Sequence, residues 1–372
     1  MVSAAPNDTR LCTSPSGILA CTLAWFDRID PGAHRRIKGL RLVTSYGIAA
    51  MLGTLLGGSH GFSSGAILGS LAGGFALWAS VFEGQSTRAA SSRDLALMCL
   101  AAVVGATSMI GFSPVLDRTG WPGAELTLVT GAFLVGYLKR YGILGAGLGS
   151  QIYIGQLLAY GAGLKPVDLP TVVVAGVIAA VGAIVPRVLS GPAEHPVLAQ
   201  PLNSIVATDS GASRELRMGL QAAIAALVIV LLNHLVRLEE SAWAITACTY
   251  IIAGTTFGTI DRVRRRIIGT TIAVPLGLAC LPIALHAPIV AWTLAALAMI
   301  IYSIALPERY DIACGAYAFT LVLTLAVSGE SSTFVLASRA WETLVGGAIG
   351  LAAALVVLPL HTPGPANRPL PN

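Results

Sequence analysis

The chain has 372 residues, of which 55% are hydrophobic and 11% are charged, and its formal net charge is +5. Soluble proteins carry about 25% charged residues, so this composition excludes an ordinary water-soluble enzyme and indicates an integral membrane protein. The basic excess does not indicate nucleic-acid binding, because it follows the pattern of membrane loops described below.

The N-terminal segment, residues 1–39, is predicted to be cytoplasmic or interfacial. Within it, the apolar patch Ile18–Ile29 is interpreted as an amphipathic helix that lies in the membrane interface. Ile18-Leu19-Ala20-Cys21 faintly resembles a lipoprotein cleavage site, but the apolar run before it is far too short, so no cleavable signal peptide is expected.

Twelve apolar stretches follow, each of about 17 to 25 residues, which is the length that a helix needs to cross a hydrocarbon core of ~30 Å. Six lie in residues 40–187 and six in residues 214–358. A polar linker at 188–213 joins them, and a Pro-rich tail at 359–372 is predicted to be disordered. The predicted fold is all-α, with about twelve transmembrane helices in two six-helix repeats. The predicted spans are Leu40–Gly58, Phe62–Phe82, Leu95–Val115, Pro122–Leu138, Gly142–Ala162, Asp168–Pro186, Leu216–Val236, Ser241–Gly258, Ile267–Leu285, Ala287–Leu306, Tyr310–Ser328 and Phe334–Leu358.

Basic residues alternate between the two sides of this predicted topology. If the N terminus is cytoplasmic, the cytoplasmic segments hold 19 of the 23 Lys and Arg residues and the outer loops hold three. Such an excess marks the cytoplasmic side of a membrane protein. The sequence therefore predicts that both termini are cytoplasmic.

Basic residues also recur at a fixed spacing between the halves. Arg93 and Arg262 precede the third and ninth spans, Arg140 and Arg309 open the fifth and eleventh, and the members of each pair are 169 positions apart. An even number of spans per half makes such a repeat parallel, with its axis along the membrane normal. A pathway between the two halves is therefore expected.

Residues 241–277 contain the most informative local pattern. A short helix is predicted to start at Ser241 with Trp243 near its outer end, and a basic loop with four arginines is predicted to separate it from the next helix. Topology and attraction to anionic lipid explain the cluster as a whole. Arg266 and Arg309, which are nearest to helix starts, are the candidates for an inner anion vestibule.

Ionisable residues within a predicted span are costly in lipid and therefore informative. Arg339 and Glu342 lie three residues apart on one face of the twelfth span. One interpretation is a structural ion pair that fixes helix packing. The other is a coupled site, in which Arg339 attracts a carboxylate substrate and Glu342 takes up a proton.

Several residues of the segment 241–277, among them Trp243 and Arg266, resemble the pattern of the fusaric acid resistance (FUSC) and aromatic acid exporter family. Pro275 and Ala273 depart from that pattern. The opening of the eleventh span, Arg309-Tyr310-Asp311, and the segment Arg339–Pro359 are also similar to the family's eleventh and closing helices. The matching residues of the main motif are Trp243, Thr246, Arg266, Gly269, Thr270 and Gly277.

The resemblance covers the second half, residues 214–358, better than the first, and plant malate channels look like more distant relatives. It implies a multi-pass transporter of the bacterial inner membrane that exports small amphipathic organic anions, such as aromatic carboxylates and fusaric-acid-like compounds, driven by an ion gradient. It also implies that Trp243, Thr246 and Asp311 lie near the substrate. The expected partners are the lipid bilayer and the anion, with a periplasmic adaptor or a second copy of the chain left open.

No catalytic motif, nucleotide-binding glycine loop or paired-cysteine metal motif is present. We therefore expect no enzymatic activity, no cofactor and no metal.

The alternatives to an anion exporter are a passive anion channel, a non-transporting membrane scaffold and a major-facilitator-type transporter. The last is also built from six plus six spans, but its signature between spans eight and nine does not fit here, because the spacing from Gly258 to Asp261 is one residue short.

Overall fold

The computed structural model describes residues 34–60, 65–84, 87–190, 211–236, 238, 241–306, 308–329 and 332–359. Within these ranges the regular structure is helical and contains no strand, which confirms the all-α prediction. The predicted interfacial helix Ile18–Ile29, most of the linker 188–213 and nearly all of the tail 359–372 lie outside the described residues.

Twelve helices of eleven residues or more occupy the positions of the twelve predicted spans in the described ranges. The six-residue helix Leu281–His286 continues the ninth after a break at Cys280, and 3-10 turns at Leu138–Tyr141 and Pro166–Asp168 precede the fifth and sixth. The helices are α1 His34–His60, α2 Gly65–Phe82, α3 Arg88–Asp117, α4 Gly123–Tyr137, α5 Gly142–Gly161, α6 Leu169–Leu189, α7 Gly211–Val236, α8 Ser241–Ile251, α9 Thr256–Ala279, α10 Pro288–Ala305, α11 Tyr310–Val327 and α12 Thr333–Val356.

Eight of these helices are long and apolar enough to cross a membrane, namely α1, α2, α3, α6, α7, α10, α11 and α12. The chain is therefore a multi-pass membrane protein. The other four are shorter or more polar: α4 has 15 residues and α8 has 11, α5 carries two glutamines, and α9 begins with a charged segment. The count of twelve spans stays a prediction.

The basic stretch before the ninth span is helical, so the predicted loop is wrong. α8 stops at Ile251, before its predicted boundary, and α9 begins at Thr256. Thr255 caps α9 by accepting a hydrogen bond from a backbone N–H of its first turn. Arg265 pairs with Asp261, one turn earlier, at 2.8 Å. The cap and the ion pair stabilise the first turns of α9. Arginine is also a good helix former, so the whole arginine cluster is helical.

The two halves have matching packing partners. In the first half α3 packs on α5, and α6 packs on α1, α2 and α3; in the second half α9 packs on α11, and α12 packs on α7, α8 and α9. Between the halves, α4 packs on α7 and α10 packs on α1. The largest buried apolar cluster runs through the first half and continues across the α4–α7 contact into the second.

Several close helix contacts require glycine. A Cβ at Gly155 of α5 would lie 2.0 Å from the Ala102 carbonyl oxygen of α3, and a Cβ at Gly346 of α12 would lie 2.3 Å from the Ala244 carbonyl oxygen of α8. Small residues allow helix backbones to approach this closely in a membrane. The pair Gly346 and Gly350 therefore packs within the chain, against α8.

Candidate functional site

A cavity of about 930 Å³ lies between the two halves. Its walls come from α1, α2, α4 and α5 of the first half and from α8 to α12 of the second. The volume is within the range of small-molecule sites, roughly 300–1,000 Å³. Seven residues were predicted as site residues, and four of them line the cavity: Trp243, Thr246, Arg266 and Arg339.

The charges on the cavity wall all have one sign. Among the described residues, the lining contains four cations and no carboxylate; the cations are Lys139, Arg262, Arg266 and Arg339. Low-dielectric walls focus the field of such charges. The cavity therefore favours anions over cations.

Aromatic side chains from both halves meet at the cavity. Trp78 of α2 contacts Tyr302 of α10 and Tyr317 of α11 edge-on, with ring centroids 6.2 and 5.3 Å apart. Tyr46 of α1 lies 6.2 Å from Trp292 of α10. These rings line the cavity, so they provide flat apolar surfaces on which another ring can pack.

Arg339 is held against an aromatic ring at one end of the cavity. Its guanidinium carbon lies 4.1 Å from the centre of the Trp243 ring, which is a close cation–π distance. Arg339 is 7% exposed, and Glu342, on the same face of α12, is fully buried. The stacking on Trp243 orients the guanidinium of Arg339 at the cavity wall.

Arg266 belongs to α9, and its side chain contacts that of Tyr310, the first residue of α11. Tyr317, two turns further along α11, is within electrostatic reach of both Arg266 and Arg339. All four side chains line the cavity. Two cationic positions are thus connected by aromatic surface.

Thr246 lies on the wall, but its hydroxyl is already used. It is 2.8 Å from the Tyr153 hydroxyl, and this contact joins α8 to α5. Gln156, also on α5, donates to Ser108 of α3 and Thr130 of α4. Thr246 therefore helps to hold the two halves together.

Arg309 and Asp311 are not brought to the cavity. They pair with each other at 3.0 Å at the start of α11, and the Arg309 side chain is 61% exposed. Neither residue is in the lining. Arg266 thus lines the cavity and Arg309 does not, although the sequence grouped them in one vestibule.

A buried charge cluster in the first half was missed by the sequence reasoning. The Glu83 carboxylate accepts hydrogen bonds from Arg41 and Arg187, both at 3.2 Å, and from Ser91 Oγ at 2.7 Å. All four residues are at most 9% exposed. The charge pattern identified Arg41 and Arg187 only as marks of the cytoplasmic side, because sequence does not reveal which charges meet in space.

Glu125, near the start of α4, is only 6% exposed. Its Oε1 accepts hydrogen bonds from Asn233 Nδ2 at 2.6 Å and from Ser241 Oγ. Asn233 belongs to α7 and Ser241 begins α8. Glu125 therefore connects the first half to two helices of the second.

Lys139, in the turn between α4 and α5, was also missed. It lines the cavity, and burial together with the neighbouring Arg262 lowers its pKa from 10.5 to about 8. Its charge is therefore sensitive to mildly alkaline pH. The distribution of Lys and Arg residues along the sequence identified Lys139 only as a basic residue on the cytoplasmic side.

Comparison with known proteins gives one match. Residues 224–353 match the family described as fusaric acid resistance protein-like, and this segment includes Trp243, Thr246, Arg266 and Arg339. No curated protein and no solved structure matches the chain. This segment, about a third of the chain, is therefore similar to the fusaric acid resistance protein-like family.

Proposed function

We propose that the protein is a bacterial inner-membrane transporter that exports small amphipathic organic anions, with aromatic carboxylates as the principal class. The observation that carries this proposal is the cavity between the halves, whose described lining combines four cations and aromatic rings with no carboxylate. The family match and the eight candidate spans support transport as the class of activity.

The two kinds of lining residue match the two parts of such a substrate. A guanidinium binds a carboxylate through charge-assisted hydrogen bonds, which Arg266 and Arg339 can supply from their two positions. Trp78, Tyr302 and Tyr317 offer ring faces and edges to an aromatic body. A benzoate-type anion satisfies both kinds of wall at once.

We infer that the halves are a parallel repeat that rocks about the cavity. Besides the matching packing partners, residues 41–50 read R-L-x-x-S-x-x-I-A-A and residues 217–226 read R-M-x-x-Q-x-x-I-A-A, 176 positions apart. The pairs that follow in the chain, Arg93 with Arg262 and Arg140 with Arg309, are 169 positions apart, which is seven fewer. The helix α8, with 11 residues, is also seven residues shorter than α2, which has 18. A shortened second helix thus accounts for the change in spacing.

For energy coupling, we propose that Arg339 and Glu342 act together. An anion near Arg339 competes with the Glu342 carboxylate for the same positive charge. Protonation of Glu342 would leave Arg339 to the anion, and release of the anion would restore the first arrangement. One pKa unit corresponds to ~1.4 kcal/mol, so a modest rearrangement changes occupancy about tenfold.

A passive anion channel is the second candidate function, because the same cations would also attract permeating anions. A carrier saturates and responds to a proton gradient, whereas a channel gives unitary conductance. A scaffold would move no anion at all. The family match argues against the major-facilitator alternative.

The test is flux of radiolabelled benzoate into liposomes containing the purified full-length protein, with a pH gradient imposed. We expect saturable uptake that depends on the gradient. Arg266→Gln and Arg339→Gln should each raise the half-saturation concentration about tenfold or more, the effect of losing a charged hydrogen bond. Arg309→Gln, a matched control outside the cavity, should leave it unchanged.

Glu342→Gln should still exchange benzoate at equal pH but lose its dependence on the gradient. Retained dependence in well-folded Glu342→Gln protein would dispose of the coupling proposal. Absence of benzoate flux in the wild type would refute the transport proposal, and conductance steps would favour the channel. An Arg309→Gln defect as large as that of Arg266→Gln would contradict the assignment of the cavity as the binding site.

A further inference from the structure

The contact of α4 with α7 and α8 contains a buried carboxylate whose two oxygens are treated differently. Glu125 Oε1 accepts hydrogen bonds from Asn233 and Ser241, which belong to the other half. Oε2 is buried and accepts no hydrogen bond from the described residues. Oε1 thus joins the halves, and Oε2, which accepts no hydrogen bond, can take up a proton without displacing a donor.

The described helices packed on α4 bring no counter-ion to this carboxylate. The ionisable groups at this end are the exposed Asp117, which closes α3, the exposed Arg118, which follows it, and His234 of α7; α5 contributes the neutral Gln156 and α8 the neutral Ser241. No described cation forms an ion pair with Glu125. A carboxylate charge buried without a cation is costly, and taking up a proton removes the charge.

We propose that Glu125 is a proton-binding site, and that the proton it takes up loosens the contact between the two halves. The proposal rests on the proposed function, because it concerns the conformational step of a transporter whose halves move. It differs from the role given to Glu342, which concerns competition with the substrate.

The chemistry follows from the two oxygens. With Glu125 ionised, Asn233 and Ser241 donate to a full carboxylate oxygen, and such charge-assisted bonds are about twice as strong as neutral ones. A proton placed on Oε2 leaves Oε1 as a carbonyl oxygen, which is a weaker acceptor. Protonation thus weakens both bonds between the halves in one event.

The loosened contact lies next to the substrate cavity. Ser241 is the first residue of α8, and Ala242 and Trp243, which follow it, line the cavity. Trp243 also supports the Arg339 guanidinium. Release of Ser241 therefore frees the end of α8 whose Trp243 supports Arg339, one of the two cationic positions.

The test measures access to the cavity without substrate. A single reporter cysteine replaces Thr343, a lining residue, in full-length protein whose native cysteines are changed to serine. A membrane-impermeant maleimide is applied to either side of proteoliposomes at acidic and at alkaline pH. Each rate is divided by that of the same cysteine in detergent-unfolded protein at the same pH, which removes the intrinsic pH effect on the thiol.

In otherwise wild-type protein we expect labelling from one side to rise roughly tenfold on acidification, the effect of weakening a charged hydrogen bond. Glu125→Gln, which resembles the protonated form, should label fast at both pH values. Ser241→Ala should raise labelling at alkaline pH and keep part of the pH response. Asp117→Asn, the same carboxylate-to-amide change at an exposed position nearby, should behave like the wild type.

A wild-type pH response in folded Glu125→Gln, or none in the wild type, would overturn the proposal. If Glu125→Gln fails to fold, unchanged alkaline labelling in Ser241→Ala would overturn it instead. The benzoate assay separates this from the function itself. Gradient-driven flux with no role for Glu125 sinks only the proton site, whereas a Glu125-dependent pH response without benzoate flux sinks only the substrate class.

Discussion

The four cations of the cavity differ in how firmly they hold their charge. An arginine side chain stays protonated in proteins, so Arg262, Arg266 and Arg339 are fixed charges. Burial and the neighbouring Arg262 lower the pKa of Lys139 to about 8. As pH rises through this value, the cavity loses one of its four positive charges.

We therefore predict that affinity for benzoate falls between about pH 7 and 9, over which a group of this pKa releases its proton. Lys139→Arg, which keeps the charge, should abolish the fall, and equilibrium binding in detergent measures both. Since the folded protein binds this proton more weakly than the unfolded chain, Lys139 opposes folding below pH 8, and this opposition disappears as pH approaches the ordinary value of 10.5. The same decline in Lys139→Arg would exclude Lys139 as its source.

The sequence identified those site residues that carry a local signal. Arg339 stands out as a charge inside an apolar stretch, and Trp243 and Arg266 as parts of a family-like motif; all three line the cavity. Lys139 and Glu125 carry no such signal, because each gains its role from helices that are distant in the chain. Arg309 has the local signal, but Asp311 holds it at the exposed start of α11.

At the level of helices, the apolar pattern gives positions better than ends. The helix α11, Tyr310–Val327, falls within one residue of its predicted span. The predicted end of α8 is wrong, because the cap at Thr255 and the pair Asp261–Arg265 start a new helix where charge suggested a loop. Caps and ion pairs of this kind act over a single turn and override the average polarity of a segment.

The helix α5 provides a matched test of close packing. At Gly155 a Cβ would lie 2.0 Å from the Ala102 carbonyl oxygen, whereas at Gly161 it would meet no atom within 4 Å. We predict that Gly155→Ala destabilises the protein by about 1–3 kcal/mol, the usual cost of overpacking, and that Gly161→Ala is close to neutral. Thermal unfolding in detergent measures both, and equal melting temperatures would mean that α3 and α5 are not in close contact.

At the scale of the whole molecule, composition and the spacing of apolar stretches were enough to predict an all-α, multi-pass protein. They were not enough to fix the number of crossings, because α4 and α8 are short and α9 is charged at its start. Most residues of the short helices α4 and α8 are buried by other helices, so their hydropathy alone does not show whether they are stable.

The topology remains a prediction with a direct test. If both termini and the linker 188–213 are cytoplasmic, a cysteine in that linker should resist membrane-impermeant thiol reagents in intact cells. A cysteine at the exposed Lys165, in a predicted outer loop, should react and serves as the control. Rapid labelling of the linker would reject the arrangement of six spans on each side of it.

The shortness of α8 has a consequence for how the protein is made. Eleven residues give about 16 Å of helix, roughly half of a bilayer core of ~30 Å, and nine of the eleven are buried by protein. The main neighbour of α8 is α12, which leaves the ribosome on the order of ten seconds later at ordinary rates of synthesis. Until then lipid alone covers little of α8, so we expect the second half to become a stable unit only when its last helix arrives.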